Sequence, residues 1–416
     1  MIDVQLTTPL YGGETLGRLP DGRAVFVPWG MPGEVVRIEL VEEKRNFARA
    51  ALVEVIVPAP ERIEPRCRHF GICGGCQYQH INYETQLNLK TQVLRDQLQR
   101  IGGISAPPVE PMIPCPQPFY YRNHVQFHLT AGGELGFYRS DGESLFAVEE
   151  CHLPEEVINE VWPQLTFEPL PEIERIGLRA GSDDDVLLVM ESLALETPEV
   201  SVEDLPISAV HKIPEQTIVI AGREYVVIQV KERDFRVSAG SFFQVNTPMA
   251  EKMVQALLEE LPLTENTTAL DVYCGAGLFS AFLAERCAQV IGVEVNPGAA
   301  EDFVVNLDDF DNVSLYEAEA EVALPALAME GVRPDIVVVD PPRAGMERQA
   351  LDALIELRAS TLAYFSCDPA TLARDAKRLT KSGYQLEKVI PFDLFPQTYH
   401  IESLSLWRVN PDPPQA

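Results

Sequence analysis

Residues 268–295 combine two strand-like runs, a glycine turn and a helical pattern, and this order constrains the fold more than any other stretch. Thr268–Val272 is a short apolar run between polar flanks, which predicts a buried strand. It ends at the turn Tyr273-Cys274-Gly275-Ala276-Gly277, after which Leu278 to Ala288 has helical spacing and Val290 to Val295 forms a second apolar run that carries Glu294. Glycines let the backbone approach a ligand closely, and a carboxylate about 20 residues later can bind two ribose hydroxyls. The pattern predicts the nucleotide-binding half of a doubly wound α/β sheet.

The turn has the form G-x-G, at Gly275 and Gly277, without the third glycine of a dinucleotide-binding fingerprint. This shorter form suits a ligand that lacks a pyrophosphate, such as S-adenosyl-L-methionine. Taken alone, the motif is also compatible with an ordinary βα turn. The cofactor assignment therefore depends on the other residues that the fold would bring to this turn.

The chain has 416 residues, which is enough for two or three domains that each bury a core. No stretch approaches the roughly 20 uninterrupted apolar residues of a membrane span, and the first residues lack the basic-then-apolar pattern of a signal peptide. We therefore expect a cytoplasmic protein that does not contact a membrane. In that compartment the eight cysteines are expected to bind metal or to act as nucleophiles rather than to form disulfides.

The formal net charge of −30 argues against a broadly basic nucleic-acid binder, because phosphate contacts need Lys and Arg. The charge is uneven along the chain, however. Residues 183–204 hold eight acidic residues and no Lys or Arg, whereas residues 62–100 hold six basic ones. A local basic face is therefore compatible with the sequence.

Residues 1–58 alternate short apolar runs with Gly, Pro and Asp turns, which predicts a small antiparallel β-barrel. One predicted turn carries three cations and an aromatic ring, at Lys44, Arg45, Phe47 and Arg49. Such a group can contact RNA through its phosphates and bases. A solvated hairpin end is the alternative interpretation.

The spacing Cys67-x5-Cys73-x2-Cys76 is the most specific in the chain. Three thiols this close, separated by glycines that let the loop wrap, need a fourth ligand to complete a site for zinc or for an iron–sulfur cluster. The candidates for a fourth ligand are Cys151, Cys115 and, in a zinc site, His69 or His80. Three buried cysteines without metal are the alternative, although they would be prone to oxidation.

The central part of the chain has a mixed α+β pattern with few chemical signals. Residues 82–101 have the periodicity of an amphipathic helix. His124 and His128 lie an even number of positions apart in a predicted strand, so they share one face, and we expect structural roles for them rather than metal binding. Asp183-Asp184-Asp185 is expected to be a solvated loop.

Four polar residues are predicted near the carboxyl edge of the doubly wound sheet, where such folds bind ligands. Asp340 ends a buried run, Cys367 lies between a strand and a helix, Glu402 lies near the same rim, and Gln244 precedes a helix in a polar–aromatic segment. A helix N-terminus lowers the pKa of a nearby thiol, so we expect Cys367 to favour the thiolate. A buried, inert cysteine is the alternative.

A thiolate beside a methyl donor and a carboxylate fits the methylation of a pyrimidine at C5. Addition of the thiolate at C6 makes C5 nucleophilic, and a base must then remove the C5 proton so that the thiolate leaves. A uracil in RNA would have to be flipped out of its stack to enter such a site.

These motifs resemble those of the uracil-5 RNA methyltransferases, specifically the iron–sulfur branch that acts on 23S ribosomal RNA, and the resemblance runs nearly end to end. Residues 1–58 resemble the TRAM RNA-binding barrel, including FVPWGMPGE. The resemblance implies a [4Fe-4S] cluster whose ligands exclude Cys115 and are Cys67, Cys73, Cys76 and Cys151.

The resemblance also implies roles at the predicted active site. The motifs FFQVN, DVYCGAG and DPPRAG are similar to the cofactor motifs of the family, which assigns contacts with S-adenosyl-L-methionine to Gln244, Tyr273, Gly275, Glu294, Glu319 and Asp340. SCDPATLARD is similar to the nucleophile motif, with Cys367 as the attacking thiol, and HIES would make Glu402 the proton acceptor.

The sequence departs from the family pattern at two places on the adenine side. Leu278 stands where some members carry a polar cofactor contact, and Glu319 replaces a shorter polar residue. The acidity of the chain is also unusual for a protein that binds ribosomal RNA. It implies that binding depends on a local basic face and on shape.

We accordingly expect a monomer with three regions: a TRAM-like barrel (1–58), a central α+β domain with the cluster loop (59–236) and a Rossmann-like methyltransferase domain (237–416). Three alternatives stay open on the sequence. The RNA substrate can be transfer RNA, the protein can be a non-catalytic RNA-binding protein, or it can be a zinc-stabilised methyltransferase of small molecules. The joint presence of Cys367, Asp340 and Glu402 disfavours the second.

Overall fold

The computed structural model describes residues 1–170, 172–198, 205–214 and 216–409. Part of the acidic stretch 183–204 and the last seven residues of the expected methyltransferase domain lie outside these ranges. No helix in the described ranges combines the length and the apolar character needed to cross a membrane.

The N-terminal residues form a closed barrel of five strands, in the order β1-β2-β3-β5-β4. Apolar side chains alternate along each strand and fill its interior. The strands are β1 Ile2–Pro9, β2 Glu14–Arg18, β3 Ala24–Pro28, β4 Val35–Glu43 and β5 Phe47–Val57. The predicted barrel is confirmed, but one pair of strands, β3 and β5, is parallel. Five strands in a closed ring cannot all alternate in direction, so one neighbouring pair must be parallel.

The central region begins with a long cysteine-containing loop and helix α1, Tyr83–Arg100. The Asn82 side chain caps this helix by accepting a hydrogen bond from the backbone N–H of Thr85 at 2.9 Å. A seven-stranded sheet follows, in the order β12-β11-β10-β9-β6-β7-β8. Its elements are β6 His124–Leu129, β7 Leu135–Tyr138, β8 Leu145–Ala147, α2 Glu156–Val161, β9 Ile173–Ala180, β10 Val186–Ser192, β11 Ile207–Ile213 and β12 Gln216–Ala221.

A hairpin, β13 Tyr225–Val230 and β14 Arg233–Ser238, leads into the C-terminal region. This region contains a second seven-stranded sheet with the order β17-β16-β15-β18-β19-β21-β20. Its elements are α3 Thr247–Glu260, β15 Thr268–Val272, α4 Leu278–Ala284, β16 Gln289–Glu294, α5 Pro297–Asn306, β17 Val313–Glu317, α6 Ala320–Met329, β18 Ile336–Val339, α7 Arg348–Leu357, β19 Thr361–Ser366, α8 Pro369–Lys381, β20 Tyr384–Phe392 and β21 Glu402–Val409.

The second sheet is doubly wound, as predicted. The chain moves outward from β15 through β16 and β17, then returns to pair β18 with the other side of β15. Alternate residues of β18 belong to different cores: Ile336 and Val338 face the core that contains α3, α4 and α5, while Val337 and Val339 face the one that contains α1, α6, α7 and α8. The switch point therefore lies between β15 and β18, where ligands bind in this class of fold.

One helix boundary differs clearly from the sequence prediction. Helix α4 ends at Ala284 rather than at Ala288. The Asn312 side chain donates hydrogen bonds to the carbonyl oxygens of Ala284 and Cys287, both at 2.9 Å, and so replaces a further helical turn. Helix α3, which follows the polar–aromatic segment as predicted, begins at Thr247 because Asn246 caps it.

Candidate active site

The glycine turn after β15 has a backbone shape that only glycine adopts without strain at two of its positions. Gly275 and Gly277 have φ angles of 55° and 91°. A Cβ atom at Gly277 would lie 2.4 Å from Leu307 Cδ1, so this glycine permits close packing. A Cβ atom at Gly275 would meet nothing closer than the Phe242 carbonyl oxygen at 4.0 Å. The Gly275 backbone therefore borders open space in which a ligand fits.

Glu294 lies beside the glycine turn, as predicted. Its Oε2 accepts a hydrogen bond from the Gly275 backbone N–H at 2.9 Å. Its Oε1 accepts hydrogen bonds from the backbone N–H groups of Val295 and Asn296, at 2.9 and 2.7 Å. These three hydrogen bonds fix the carboxylate at the end of β16, in the position that suits binding of a ribose.

Tyr273 begins the turn in the left-handed region, with φ of 64°. A non-glycine residue in this conformation is strained and is found most often at functional sites. Burial raises the pKa of its phenol well above the usual value, and the carboxylates of Glu321, Asp375 and Glu347 contribute further. The ring packs against the core that contains α6, α7 and α8.

Asp340 and Gln244 meet at the end of β18. The Gln244 Nε2 donates to Asp340 Oδ2 at 3.3 Å. The side chain of Asn123, from the central region, donates to the Gln244 carbonyl oxygen at 3.1 Å. Burial raises the pKa of Asp340 above its usual value. The structure thus brings together Gln244 and Asp340, two of the predicted cofactor residues. Asn123, a residue of the central region, also helps to hold Gln244 in place.

Cys367 lies directly after β19, where it was predicted, but the expected pKa direction is wrong. Burial, followed by the charges of Glu402 and Asp340, raises the thiol pKa to about 12. Arg343 opposes this increase. The positive end of α8 does not dominate, because burial and then the charges of Glu402 and Asp340 outweigh it.

Glu402 begins β21 and lies on the same edge as Cys367. Ser366 pairs with Ser403 across antiparallel strands, so Cys367 and Glu402 come next on the two strands and lie opposite each other, while Glu402 still pairs with Phe392 of β20 on its other side. Glu402 is 3% exposed, and its Oε1 has no hydrogen-bond partner among the residues that the structure describes. Burial raises its pKa well above the usual value, and the charge of Asp340 adds to this effect. The Cys367 thiol and the carboxyl groups of Glu402 and Asp340 therefore lie close enough for their charges to interact.

Residues 393–400 form a segment that precedes Glu402 and carries an aromatic group. The Tyr399 and His400 rings lie 4.2 Å apart, and His400 Nε2 is 3.4 Å from Arg343 Nη2. Burial lowers the pKa of His400 to about 3, so the ring is neutral at pH 7. The carbonyl oxygen of Gln397 accepts hydrogen bonds from the backbone N–H groups of Gln77 and Tyr78, both at 3.0 Å. The cysteine-containing loop thus contacts the 393–400 segment directly.

The four cysteines Cys67, Cys73, Cys76 and Cys151 line one cavity of about 610 Å³. Their charges act on one another: Cys151 and Cys73 both raise the pKa of Cys76, which burial brings to about 12. Within the described ranges no three His, Cys, Asp or Glu side chains converge closely enough to hold a metal ion. A single zinc ion would require sulfurs only about 3.8 Å apart, given Zn–S bonds of about 2.3 Å. Four thiols spread around a larger cavity suit a polynuclear group better.

Arg122 supports this interpretation of the cysteine cavity. Its guanidinium is buried beside Cys76 and Cys151, and its Nε has no hydrogen-bond partner in the part of the chain that the structure describes. A buried cation without a full set of partners is costly, so an anionic group in the cavity would stabilise it.

The other candidate ligands lie in different surroundings. Cys115 is buried elsewhere, where its sulfur accepts from Asn246 Nδ2 at 3.4 Å. The ring of His80 packs against Phe70, and His80 is absent from the residues that line the cavity. His69, His124 and His128 do line the cavity, but His69 Nε2 already accepts from the Glu149 N–H at 3.2 Å.

None of the contacts described above at the carboxyl edge of the sheet involves Glu319. It is exposed at the start of α6 and lines a separate surface cavity with Glu347 and Arg348. Leu278 is buried in the first turn of α4.

Sequence reasoning missed Asp271, which is fully buried in β15. Its Oδ2 accepts from Ser280 Oγ at 2.6 Å, while its Oδ1 has no partner within the described ranges. Burial raises its pKa to about 7, and Asp340 and Glu294 contribute to the increase. The signal was present, because Asp271 is the only charged residue in an otherwise apolar strand. Arg343 was missed as well; only its place in DPPRAG marked it.

The chain is similar to known proteins in sequence and in fold. A family model described as tRNA (Uracil-5-)-methyltransferase matches residues 190–408, more than half of the chain. A TRAM domain model matches residues 1–53. An uncharacterized RNA methyltransferase of Aquifex aeolicus is 35% identical over 96% of this chain and 97% of its own length. One from Bacillus cereus is 33% identical over 97% of this chain and 96% of its own length.

A solved structure shares the fold. The crystal structure of Pyrococcus abyssi tRNA (uracil-54, C5)-methyltransferase in complex with S-adenosyl-L-homocysteine aligns with a TM-score of 0.72. The alignment covers 97% of this chain and all of that chain, at 24% sequence identity. A likeness at this identity concerns the fold.

Proposed function

The chain belongs to the tRNA (uracil-5-)-methyltransferase family and is an S-adenosyl-L-methionine-dependent RNA methyltransferase, and we propose that it methylates C5 of a uridine in 23S ribosomal RNA through a covalent adduct with Cys367. The observation that carries this proposal is the position of Cys367 and Glu402 opposite each other at neighbouring strand ends, with Asp340 close enough for its charge to act on both. A nucleophile and a proton acceptor are both needed for the reaction, and both lie at the edge where the glycine turn ends.

The proposed reaction has three steps at the base. The Cys367 thiolate forms a bond to C6 of the flipped-out uracil, and the electron pair moves toward C5. C5 then takes the methyl group from the sulfonium of S-adenosyl-L-methionine, which leaves as S-adenosyl-L-homocysteine. Glu402 removes the proton from C5, the C6–S bond breaks, and the sulfur leaves as the thiolate. Arg343 favours the thiolate, because its charge lowers the thiol pKa.

The cofactor contacts are part of the same proposal. Glu294 would bind the ribose hydroxyls, with Gly275 giving close access to the backbone. Asp340, held by Gln244, would lie toward the methionine end. Tyr273 would contact the cofactor from the strained start of the turn. Glu319 would contact the adenine of S-adenosyl-L-methionine only if α6 borders the cofactor site.

The test is methyl transfer from labelled S-adenosyl-L-methionine to RNA, followed by mapping of 5-methyluridine. Cys367→Ala should abolish methylation and the covalent complex. Cys287→Ala is the matched control, since Cys287 is buried near the start of β16, at the opposite edge of the sheet. Methylation by Cys367→Ala at the wild-type rate would rule out the covalent mechanism.

Transfer RNA is the second candidate substrate. It is favoured by the similarity of the fold to the Pyrococcus abyssi tRNA (uracil-54, C5)-methyltransferase over nearly the whole chain. The two candidates are separated by assaying 23S ribosomal RNA and transfer RNA in separate reactions at equal concentration. Methylation of ribosomal RNA alone supports the first, and methylation of transfer RNA alone supports the second.

We propose that Cys67, Cys73, Cys76 and Cys151 hold a [4Fe-4S] cluster. The support is their arrangement around one cavity and the buried guanidinium of Arg122 beside two of them. When bound, such a cluster would cross-link the loop around Cys67–Cys76 to residue 151. We expect this role to be structural, because the methyl transfer involves no net electron flow.

We also propose a separate role for each of the three regions. The barrel and the turn around Lys44 and Arg49 would contact RNA, although in the free protein these cations pair with Glu42 and Glu14. The region 59–236 would carry the cluster and the region 237–416 would carry out the reaction, in a monomeric, cytoplasmic protein. Replacing Arg45 and Arg49 by Ala should weaken RNA binding and reduce its salt dependence, while binding of S-adenosyl-L-methionine stays unchanged.

A further inference from the structure

An exposed arginine lies over two aromatic rings beside the cysteine-containing loop. The guanidinium carbon of Arg66 is 5.1 Å from the centroid of the Phe119 ring and 5.0 Å from that of the Tyr120 ring. Its Nη2 donates a hydrogen bond to the Tyr120 hydroxyl at 3.0 Å. Arg66 is exposed, whereas both aromatic residues are half-buried. The rings therefore hold the guanidinium at the surface, where it stays accessible to solvent.

His152 holds the Tyr120 ring in place. The Tyr120 hydroxyl accepts from Arg66, so its own hydrogen is available to His152 Nδ1, which lies 3.0 Å away. The His152 ring meets the Tyr120 and Phe119 rings edge-on, with centroids 5.9 and 6.5 Å apart. The Tyr120 backbone N–H also donates to the His152 carbonyl oxygen at 2.8 Å. Arg66, Phe119, Tyr120 and His152 thus form one preorganised group, the Arg66 platform.

The backbone of Tyr120 is strained. Its φ angle of 54° lies in the left-handed region, which a non-glycine residue adopts at a cost in energy. Such strain is concentrated at functional sites and binding sites. The conformation of Tyr120 therefore indicates a function for its side chain beyond filling space.

No acidic residue neutralises Arg66, although the chain has 63 of them. Within the described ranges, the side-chain hydrogen bond of Arg66 goes to Tyr120 and it forms no ion pair with a carboxylate. The nearby Arg68 is also exposed, but it pairs with Glu149 at 2.6 Å and with Glu150 at 3.4 Å. The charge of Arg66 is therefore available to a negatively charged ligand such as an RNA strand.

The platform lies next to the 393–400 segment. The residues on either side of its two aromatic residues contact that segment: the Pro118 carbonyl oxygen accepts from Gln397 Nε2 at 3.4 Å, and the Tyr121 hydroxyl donates to the Pro396 carbonyl oxygen at 3.0 Å. The segment leads to the proposed catalytic base. The platform is therefore placed to meet nucleotides that neighbour the target uridine.

We propose that the Arg66 platform binds one unpaired base of the substrate RNA, which stacks on the Arg66 guanidinium outside the catalytic site. Unpaired RNA bases are recognised by stacking on aromatic rings or on arginine planes, and here the two are combined. The guanidinium is already ordered by the rings beneath it, so little conformational freedom is lost on binding. The inference rests on the proposed function, because it takes the target uridine to enter the site at Cys367.

The test measures binding of 23S ribosomal RNA and of transfer RNA by filter retention and continues with the RNA that binds more tightly. Arg66→Ala should weaken binding about fivefold to a hundredfold, the range that corresponds to the loss of one stacked base. Arg66→Lys should weaken it nearly as much, because Lys keeps the charge but has no plane on which a base stacks. Arg68→Ala is the matched control, since Arg68 is equally exposed and pairs with two carboxylates. It should change binding less than about twofold.

A second measurement uses the wild-type protein and altered RNA. Unpaired nucleotides around the target uridine are replaced one at a time by abasic nucleotides in a synthetic fragment of the bound RNA. Wild-type protein should lose affinity at the uridine and at one further position. At that further position Arg66→Ala should show no additional loss, because the base and the side chain that interact are then both absent.

Wild-type affinity of Arg66→Lys would overturn the inference, since charge alone would then explain the contact. Equal losses in Arg66→Ala and Arg68→Ala would overturn it as well, as would an abasic scan in which the uridine alone matters. Binding of S-adenosyl-L-methionine by Arg66→Ala should match the wild type, which shows that the variant is folded. All of these readouts concern binding, so they are separate from the proposed function, which fails instead if Cys367→Ala still methylates RNA.

Discussion

The Nζ atom of Lys90 lies 2.6 Å from Oδ1 of Asp393, and both side chains are completely buried. Lys90 belongs to α1, and Asp393 begins the 393–400 segment that leads to His400 and Glu402. Lys90 also donates to the Phe395 carbonyl oxygen at 3.0 Å. Burial lowers the pKa of Lys90, and the charge of Asp393 opposes this decrease. One buried ion pair therefore links helix α1 of the central region to the segment that precedes Glu402.

Lys90→Met should destabilise the protein strongly. The substitution leaves the Asp393 carboxylate buried without its cation, which costs about 3–5 kcal/mol in comparable sites. Urea unfolding followed by circular dichroism measures this loss. The double variant Lys90→Met/Asp393→Leu removes both charges and should recover most of the stability. If Lys90→Met alone loses less than about 1 kcal/mol, the ion pair does not hold the segment.

Glu402→Gln should arrest the reaction after methyl transfer. The amide cannot accept the C5 proton, so the C6–S bond cannot break and the methylated RNA stays attached to Cys367. Turnover should fall about 10²- to 10⁴-fold, the usual contribution of a positioned base. A band of protein joined to RNA on a denaturing gel should appear at the same time.

The control for this variant is Glu387→Gln, an exposed Glu on β20 that pairs with Arg408. It should turn over normally and show no accumulated adduct. Normal turnover by Glu402→Gln would remove this residue from the mechanism and leave Asp340 as the next candidate for the base.

Much of the catalytic sheet was predictable because its signals are local. The apolar run Thr268–Val272 matches β15 at both ends, and the glycine turn follows it as predicted. The meeting of Asp340, Cys367 and Glu402 follows from topology, since strand ends at one edge of a sheet are neighbours. The antiparallel direction of β21 places the start of that strand, rather than its end, at this edge.

Contacts between distant segments left no signal in the sequence. Lys90 and Asp393 are 303 positions apart. The helical spacing places Lys90 on the buried side of α1, in line with Leu94 and Leu98, but nothing in the sequence identifies its partner. The edge-on contact between the rings of Tyr11, in the turn between β1 and β2, and Tyr399 joins two domains in the same way. The direction of the Cys367 pKa was wrong for a related reason. A helix N-terminus is visible in sequence, whereas the burial and the neighbouring carboxyl groups that outweigh it exist only in the folded chain.

Asp271→Asn should stabilise the protein more at pH 8 than at pH 5.5. The pKa of Asp271 is raised from 3.8 to about 7, so the folded protein binds this proton more tightly than the unfolded chain does. Its stabilising contribution is present at low pH and is lost as the pH rises through about 7. The variant has no such dependence and should gain about 1–2 kcal/mol relative to wild type between the two pH values. Asn can still accept the hydrogen bond from Ser280.

Urea unfolding at pH 5.5 and pH 8 checks this prediction. Asp309→Asn is the control, because Arg233 lowers the pKa of Asp309, and its contribution is lost only at lower pH. The Asp309 variant should therefore show no relative gain between pH 5.5 and pH 8. An equal effect of Asp271→Asn at both pH values would mean that Asp271 is already ionised in the folded protein.

Cys67→Ser and Cys115→Ser should differ in iron content, because only the first residue lines the cavity with Cys73, Cys76 and Cys151. The protein purified without oxygen should contain about four irons per chain and absorb broadly in the visible range. Cys67→Ser should lose most of both, since a cluster held by three thiolates is labile. Cys115→Ser should keep both, because Cys115 lies against Asn246 outside the cavity. Equal iron loss in the two variants, or tightly bound zinc in the wild type, would contradict the proposed cluster and its ligands.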